Sequence, residues 1–296
     1  MGAHFVAYLN EKNLADRVVV FDNLSYAADE SRLSELPQGF YSLVVGDIRN
    51  GEAVKQVTKG ADYVFNFAAE THNDNSLSRP LDFLQSNFMG VANLLEAARI
   101  HGFHLHQVST DEVYGDLPLG SSERFSESLR YRPSSPYSAS KASGDLLVLS
   151  WVRSFGVKAT ITNSANNYGN FQHPEKLIPR SISLILKGAR PELYGNGLNV
   201  RDWLNVDDHS SAVWAVASLA KNGSQYLVSS GQLMSNLELV SAINLSLGRR
   251  ADDLEFISDR PGHDLMYASS AEKIREELGW RPVGKSVREW LESLAR

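Results

Sequence analysis

Cysteine is absent from this 296-residue chain. That excludes disulfides, thiol nucleophiles and thiolate metal ligands, and it fits a reducing compartment. Positive charge is in deficit as well: 29 Lys and Arg stand against 35 Asp and Glu, a net charge of −6. Such a balance gives no reason to expect nucleic acid or an anionic membrane as partner, so any anionic ligand must be held by a local site. Long apolar runs are missing, with none near membrane-spanning length, and the N-terminus lacks the charged-then-apolar order of a signal peptide. Position 6 is Val6, so the Met-Gly start does not fit a myristoylation signal. Internal repeats and low-complexity tracts are also lacking. Together these absences predict a soluble, cytoplasmic protein. The remaining composition, 43% hydrophobic and 22% charged, is ordinary for a globular chain able to bury a sizeable core.

Hydrophobic periodicity predicts an amphipathic helix over Gly2–Lys12, with Phe5, Val6, Tyr8 and Leu9 as its apolar stripe. Short strands are predicted at Arg17–Phe21, Tyr41–Val45, Ala61–Phe67 and Phe103–Val108, and a long helix over Leu81–His101. The alternation of strand and helix through Thr162 predicts a doubly wound α/β fold with a mostly parallel, Rossmann-like sheet. After Thr162 the pattern changes. Asn166–Gly169 reads as a polar loop, and Val206–Ala220 as a helix returning to the first lobe. The predicted organisation is a first domain over 1–165, joined by 205–222, and a smaller C-terminal substrate-binding lobe over 166–296. His104 and His106 share a strand face without an acidic or Cys partner at matching spacing, so they read as sheet residues and no metal site is expected.

The chemistry concentrates between Ser109 and Lys141. Ser109-Thr110-Asp111-Glu112-Val113-Tyr114-Gly115 follows an apolar strand, where open α/β sheets place reacting groups. Tyr137-Ser138-Ala139-Ser140-Lys141 opens a helix and sets Tyr137 and Lys141 four apart, on one face. A cation beside a phenol favours the phenolate, so this spacing predicts that Lys141 lowers the Tyr137 pKa and makes Tyr137 an acid/base. Asp22 lies twenty residues after Gly2, the offset of a ribose-binding acid, although a turn residue ahead of Asn23 explains it equally well.

These two motifs on this α/β pattern resemble the extended short-chain dehydrogenase/reductases, and within them the dTDP-glucose 4,6-dehydratases. The resemblance runs from Gly2 to about Trp280. It implies NAD as cofactor, held by Gly2, Asp22, Asn23, Asp47, Ile48, Ala68, Ala69, Asn87, Tyr137 and Lys141. It implies a nucleotide-diphosphate sugar as substrate, held by His72, Thr110, Asn166, Lys176, Arg201 and Tyr267, with Arg201 as the diphosphate partner through its planar fork. The catalytic set it implies is Thr110, Asp111, Glu112, Tyr137 and Lys141. In that scheme Tyr137 takes the C4 hydroxyl proton, Glu112 the C5 proton, and Asp111 protonates the departing C6 hydroxyl. By analogy the chain is expected to form a homodimer through the Tyr137 helix and the long helix before it.

The sequence also departs from the family pattern. Asn170 stands where relatives usually have Pro, Asn205 where they have Tyr, and Met266 where Arg is common. After His72 the chain reads Asn73-Asp74-Asn75 rather than Val-Asp-Arg. Relatives begin with a strand and a Gly-Gly-x-Gly-x-x-Gly turn, of which only Gly2 is present, so the expectation is that Met1 is not the natural start and that a buried strand and pyrophosphate-binding amides lie upstream. Two classes of function stay open at this point. One is a dehydratase, or a related nucleotide-sugar dehydratase, epimerase or decarboxylase; the other is a non-catalytic nucleotide-sugar-binding relative.

Overall fold

The computed structural model describes residues 1–294. Its first half runs α1 (Gly2–Glu11), β1 (Val18–Asp22), α2 (Ser31–Ser34), β2 (Tyr41–Val45), α3 (Gly51–Val57), β3 (Tyr63–Asn66), α4 (Asn73–Ser78) and α5 (Pro80–Leu84). A π-helical turn, Gln85–Gly90, joins α5 to α6 (Val91–His101). Then come β4 (His104–Thr110), a 3₁₀ turn (Asp111–Tyr114), α7 (Pro136–Phe155) and β5 (Ala159–Ser164). The second half holds β6 (Asn166–Tyr168), α8 (Leu177–Leu186), β7 (Glu192–Tyr194), β8 (Val200–Asn205), α9 (Val206–Leu219) and β9 (Gln225–Val228). It ends with β10 (Leu233–Ser235), α10 (Asn236–Ser246), β11 (Glu255–Ile257), α11 (Glu272–Leu278) and α12 (Val287–Leu294).

The central sheet has the order β3-β4-β5-β9, every pair parallel, as helical crossovers require. On one face Leu105, Ala159 and Ile161 pack with Leu94 and Leu95 of α6 and Val148 of α7. In another cluster, Val108 packs with Phe5 and Leu9 of α1 and Val213 of α9. β4 and β5 are therefore buried almost throughout, as expected of a doubly wound sheet. β1 and β2 pair in parallel as a separate two-stranded sheet, so the parallel strands form two sheets rather than one. Val19 and Val45 in that pair are 43% and 64% exposed.

Several expectations shift. The return to the first lobe does not stop at residue 222 but runs on to β9, which hydrogen-bonds to β5. Asn166–Tyr168, read as loop, forms β6 alongside β8 because a parallel partner was available to pair its backbone. The helix expected over Leu81–His101 is interrupted by the π turn, which buries Asn87. Its amide bonds the Glu70 backbone N–H and carbonyl, each at 2.9 Å, and the Ser140 hydroxyl at 2.9 Å. His104 and His106 lie on β4 and bond Thr160 and Thr162 of β5. Among the described residues no helix is long and apolar enough to cross a membrane.

The helix α7 is pressed against that π turn at Gly144, where an added Cβ would meet the Asn87 carbonyl oxygen at 2.7 Å. Ala normally stabilises a helix interior over Gly by about 0.5–1 kcal/mol. Here overpacking against backbone outweighs the gain, and Gly144→Ala is expected to lower stability by about 1–3 kcal/mol in a denaturant titration.

Candidate active site

Thr110 ends β4, and its hydroxyl accepts from the Glu112 N–H at 3.3 Å, capping the 3₁₀ turn. The two carboxyl residues on that turn enter different surroundings. Asp111 is only 1% exposed, and its Oδ2 accepts from the Ser269 hydroxyl at 3.1 Å. Burial pushes its carboxyl well above the ordinary range; the Glu112 and Asp202 charges add to this, while Ser269 and Arg201 oppose it. Asp111 is thus held as an acid with a proton to give. Glu112 is half-buried, and its Oε2 accepts from Asn73 Nδ2 at 3.1 Å and from the Tyr267 hydroxyl at 3.3 Å.

The start of α7 is fixed by a capping box between Ser135 and Ser138, with Pro136 in the first turn. That fixes Tyr137 beside Thr110 and sends Lys141 under the strand, where its Nζ donates to the Val108 carbonyl at 2.7 Å. The expected lowering of the Tyr137 pKa by Lys141 is not found. Burial raises the phenol well above its ordinary value, Glu112, Asp111 and Asp145 push the same way, and the Thr110 hydroxyl opposes them. The physical reason is that three carboxyl groups crowd the phenol, while the Lys141 ammonium is directed to a backbone carbonyl. Burial in turn pushes Lys141 down to about 8.

Sequence reasoning missed Asp145, four residues beyond Lys141 on the same helix face. It is fully buried, and its Oδ2 accepts from Ser109 at 2.7 Å, Asn163 at 2.9 Å and Tyr131 at 3.2 Å. The same i, i+4 spacing that singled out Tyr137 and Lys141 could have found it. Ser135, Ser269 and Asn73 were also missed, because nothing in their local pattern distinguishes them from loop polarity.

The nucleotide-side residues are only partly gathered as expected. Arg201 is 5% exposed; its guanidinium donates to the Val200 and Asp264 carbonyls, at 2.8 and 2.9 Å, and lies 4.1 Å from the Tyr267 ring centroid. Its fork is occupied by protein rather than open for a diphosphate. Tyr267, expected on the nucleotide side, stands against Glu112 and bonds Asp264. Lys176 caps α8 and faces Glu175 at 3.6 Å, while Asn166 begins β6. His72 precedes α4, with Nδ1 buried and unpartnered and its pKa lowered chiefly by burial. A cleft lined by Asn73, Ser135, Arg260 and Asp264 opens beside these groups.

The expected NAD residues lie at the C-terminal ends of parallel strands: Asp22 at the end of β1, Asp47 and Ile48 after β2, Ala68 and Ala69 after β3. Asn23 Nδ2 donates to Asp47 Oδ2 at 3.2 Å, so the first two loops are tied together. Gly2 opens α1, whose first turn has no side-chain cap and no acid, leaving amides free for an anion. This donor set fits a dinucleotide. Asn87 is the exception, because its amide is committed to Glu70 and Ser140.

Burial pushes the Asp145 carboxyl up to about 6 from 3.8, with Lys141 and its three hydrogen-bond donors opposing. A carboxyl raised in the folded state stabilises fully below its unfolded pKa and loses that contribution as pH rises through the folded one. Asp145→Asn keeps one oxygen for all three donors and removes the charge. Its stability is expected to exceed that of the wild type increasingly as pH rises from about 4 to 7, by up to about 2 kcal/mol, with Lys141 offsetting part. Thermal melts at both pH values measure the difference.

Comparison with known proteins agrees with this geometry. The family model described as GDP-mannose 4,6 dehydratase matches residues 1–292. The dTDP-glucose 4,6-dehydratase of Mycolicibacterium smegmatis is 47% identical over 282 residues, 95% of this chain and 85% of that protein. A crystal structure of DesIV, a dTDP-glucose 4,6-dehydratase from Streptomyces venezuelae with NAD bound, superposes with a TM-score of 0.94 at 37% identity, covering 99% of this chain and 92% of that one. The dTDP-glucose 4,6-dehydratase of Bacillus anthracis, also solved with NAD, gives a TM-score of 0.90 at 36% identity, covering 99% and 91%. With the family model spanning nearly the whole chain and these relatives 36–47% identical over most of their length, the chain belongs to the GDP-mannose 4,6 dehydratase family.

Proposed function

We propose that this protein is an NAD-dependent hydro-lyase that converts dTDP-glucose to dTDP-4-keto-6-deoxyglucose. The observation that carries the reading is the division between Asp111, buried beneath Ser269 where burial pushes its carboxyl pKa up, and the more exposed Glu112 beside Tyr137. Oxidation at C4 alone would need only Tyr137, Lys141 and Thr110. Losing water across C5 and C6 needs a base and an acid at once, and this pair supplies both.

Gly2, Asp22, Asn23, Asp47, Ile48, Ala68, Ala69, Tyr137 and Lys141 would hold NAD, which when bound would supply a hydride acceptor for C4 and, after water loss, the same hydride for C6, with a proton returned at C5. Tyr137 takes the proton of the C4 hydroxyl, with Thr110 bonded to the sugar oxygen. Glu112 removes the C5 proton once the C4 ketone has acidified it, and Asp111 gives its proton to the departing C6 hydroxyl. His72, Asn166, Lys176, Arg201 and Tyr267 make up the substrate side. The NAD-binding lobe is residues 1–165 with the returning segment from 205 through β9, and the rest binds the nucleotide sugar.

Tyr137→Phe should abolish all turnover. Glu112→Gln should stop water loss and solvent deuterium entry at C5, by roughly 10²–10⁴-fold, while bound NAD is still slowly reduced by substrate. Normal product formation by Glu112→Gln would overturn the assignment.

We also infer a cytoplasmic homodimer, assembled through α7 and the α5–α6 segment. Supporting this, Leu81, Met89 and Leu146 on these elements are 68%, 51% and 57% exposed. Light scattering should give twice the 32.8 kDa chain mass, and Leu146→Glu should shift it toward the monomer.

A further inference from the structure

Asn73 opens α4 immediately after His72, outside the set of residues just assigned. Its side chain spans from the cap of α7 to the Glu112 carboxylate. Oδ1 accepts from the Ser135 hydroxyl at 3.1 Å, and Nδ2 donates to Glu112 Oε2 at 3.1 Å. The direction of this bridge is set by its neighbours. Ser138 Oγ accepts from the Ser135 N–H at 3.0 Å, donates to the Ser135 carbonyl at 3.2 Å and lies 3.0 Å from the Ser135 hydroxyl. With its own proton on that carbonyl, it leaves the Ser135 hydroxyl to donate either to it or to Asn73 Oδ1, the bond the structure shows. With Oδ1 engaged there, the amide must present its N–H to Glu112.

The other partner of Glu112 is less committed. Tyr267 has one hydroxyl proton, and it stands much closer to Asp264 Oδ2 than to Glu112. Asn73 therefore supplies the firm donor to Glu112. Both partners reach Oε2, and among the described residues Oε1 has no hydrogen bond. The remaining surroundings are Asp111 on the same turn, Tyr137 from α7, and Tyr267 with Asp264 and the stacked Arg201 from the C-terminal lobe. Two of these groups are carboxyls, which disfavour a third ionised carboxylate nearby, so a fixed neutral donor matters.

We propose that Asn73 is a positioning residue that orients the Glu112 carboxyl group, with Oε2 anchored and Oε1 presented to the substrate C5 proton. This rests on Glu112 being the C5 base, as proposed above. The test compares Asn73→Leu and Asn73→Asp with the wild type, using dTDP-glucose carrying hydrogen or deuterium at C5. In Asn73→Leu, kcat should fall about tenfold, the effect of one lost bond to a charged group, and the primary isotope effect on kcat should rise as proton removal becomes limiting. Asn73→Asp keeps the size of the side chain but opposes two carboxylates, so its kcat should fall further; it also serves if the Leu variant does not fold. An unchanged isotope effect in the folded variants, whatever happens to kcat, overturns the proposal, because a merely structural loss would not alter which step limits turnover. If Glu112→Gln itself keeps normal C5 exchange, the base assignment fails and this proposal fails with it. If Glu112→Gln is dead and the Asn73 variants show no isotope change, only the role of Asn73 is wrong.

Discussion

Two carboxyl groups on adjacent residues cannot both sit ionised in a dry site, and the active-site architecture follows from how this constraint is met. Successive residues in a 3₁₀ turn are rotated by about a third of a turn, so Asp111 and Glu112 leave the backbone in different directions. Asp111 goes inward beneath Ser269, and Glu112 outward toward Asn73 and Tyr267. A longer strand would have sent them to opposite faces of the sheet, and an α-helix would not have ended on Thr110 as a cap. The turn therefore buries one carboxyl, raising its pKa, and leaves the other half-exposed against Asn73 and Tyr267.

That separation depends on a segment far away in sequence. Residues 264–270 return from the C-terminal lobe and lie along the loop after the turn: Leu117 N–H bonds the Met266 carbonyl at 3.1 Å, Phe125 N–H the Ala268 carbonyl at 2.8 Å, and Ser270 N–H the Phe125 carbonyl at 2.9 Å. This strap carries Tyr267 and Ser269 to the two carboxyls. Val113, Tyr114 and Phe125 pack with Met266, Tyr267 and Ala268 in one apolar cluster, so the strap is held by burial as well as by backbone bonds. The substrate lobe thereby helps build the acid/base machinery of the first lobe.

How much of this was legible in the sequence divides along the same line. Tyr137, Lys141 and the Thr110–Glu112 run could be read because their relation is local: a strand end, and an i, i+4 pair on one helix. Helices and strands with clear periodicity were located to within a few residues, as Gly2–Glu11 and Tyr41–Val45 show. The direction of the Tyr137 shift could not be read, because it depends on burial and on Glu112, Asp111 and Asp145 converging on one phenol. Ser269, and the contact of Tyr267 with Glu112, were hidden for the same reason, each lying more than 150 residues from its carboxyl partner. β6 escaped because a three-residue polar strand has no periodicity of its own and exists only beside β8.

The electrostatics of the cleft also account for an acidic chain that is proposed to bind a dianionic diphosphate. Two of its cations are already matched to its own acids, Lys176 Nζ at 3.6 Å from Glu175 and Arg260 paired with Asp74 at 3.2 Å, while Arg201 is bonded to neutral backbone carbonyls. A diphosphate arriving there would exchange one anion for another rather than meet a vacant positive field. Such an exchange gives modest Coulombic gain per contact, since partly exposed ion pairs are worth about 0–1 kcal/mol. Binding is spread over many weak exchanges, while proton transfer is concentrated in a few buried groups whose pKa values burial has already moved.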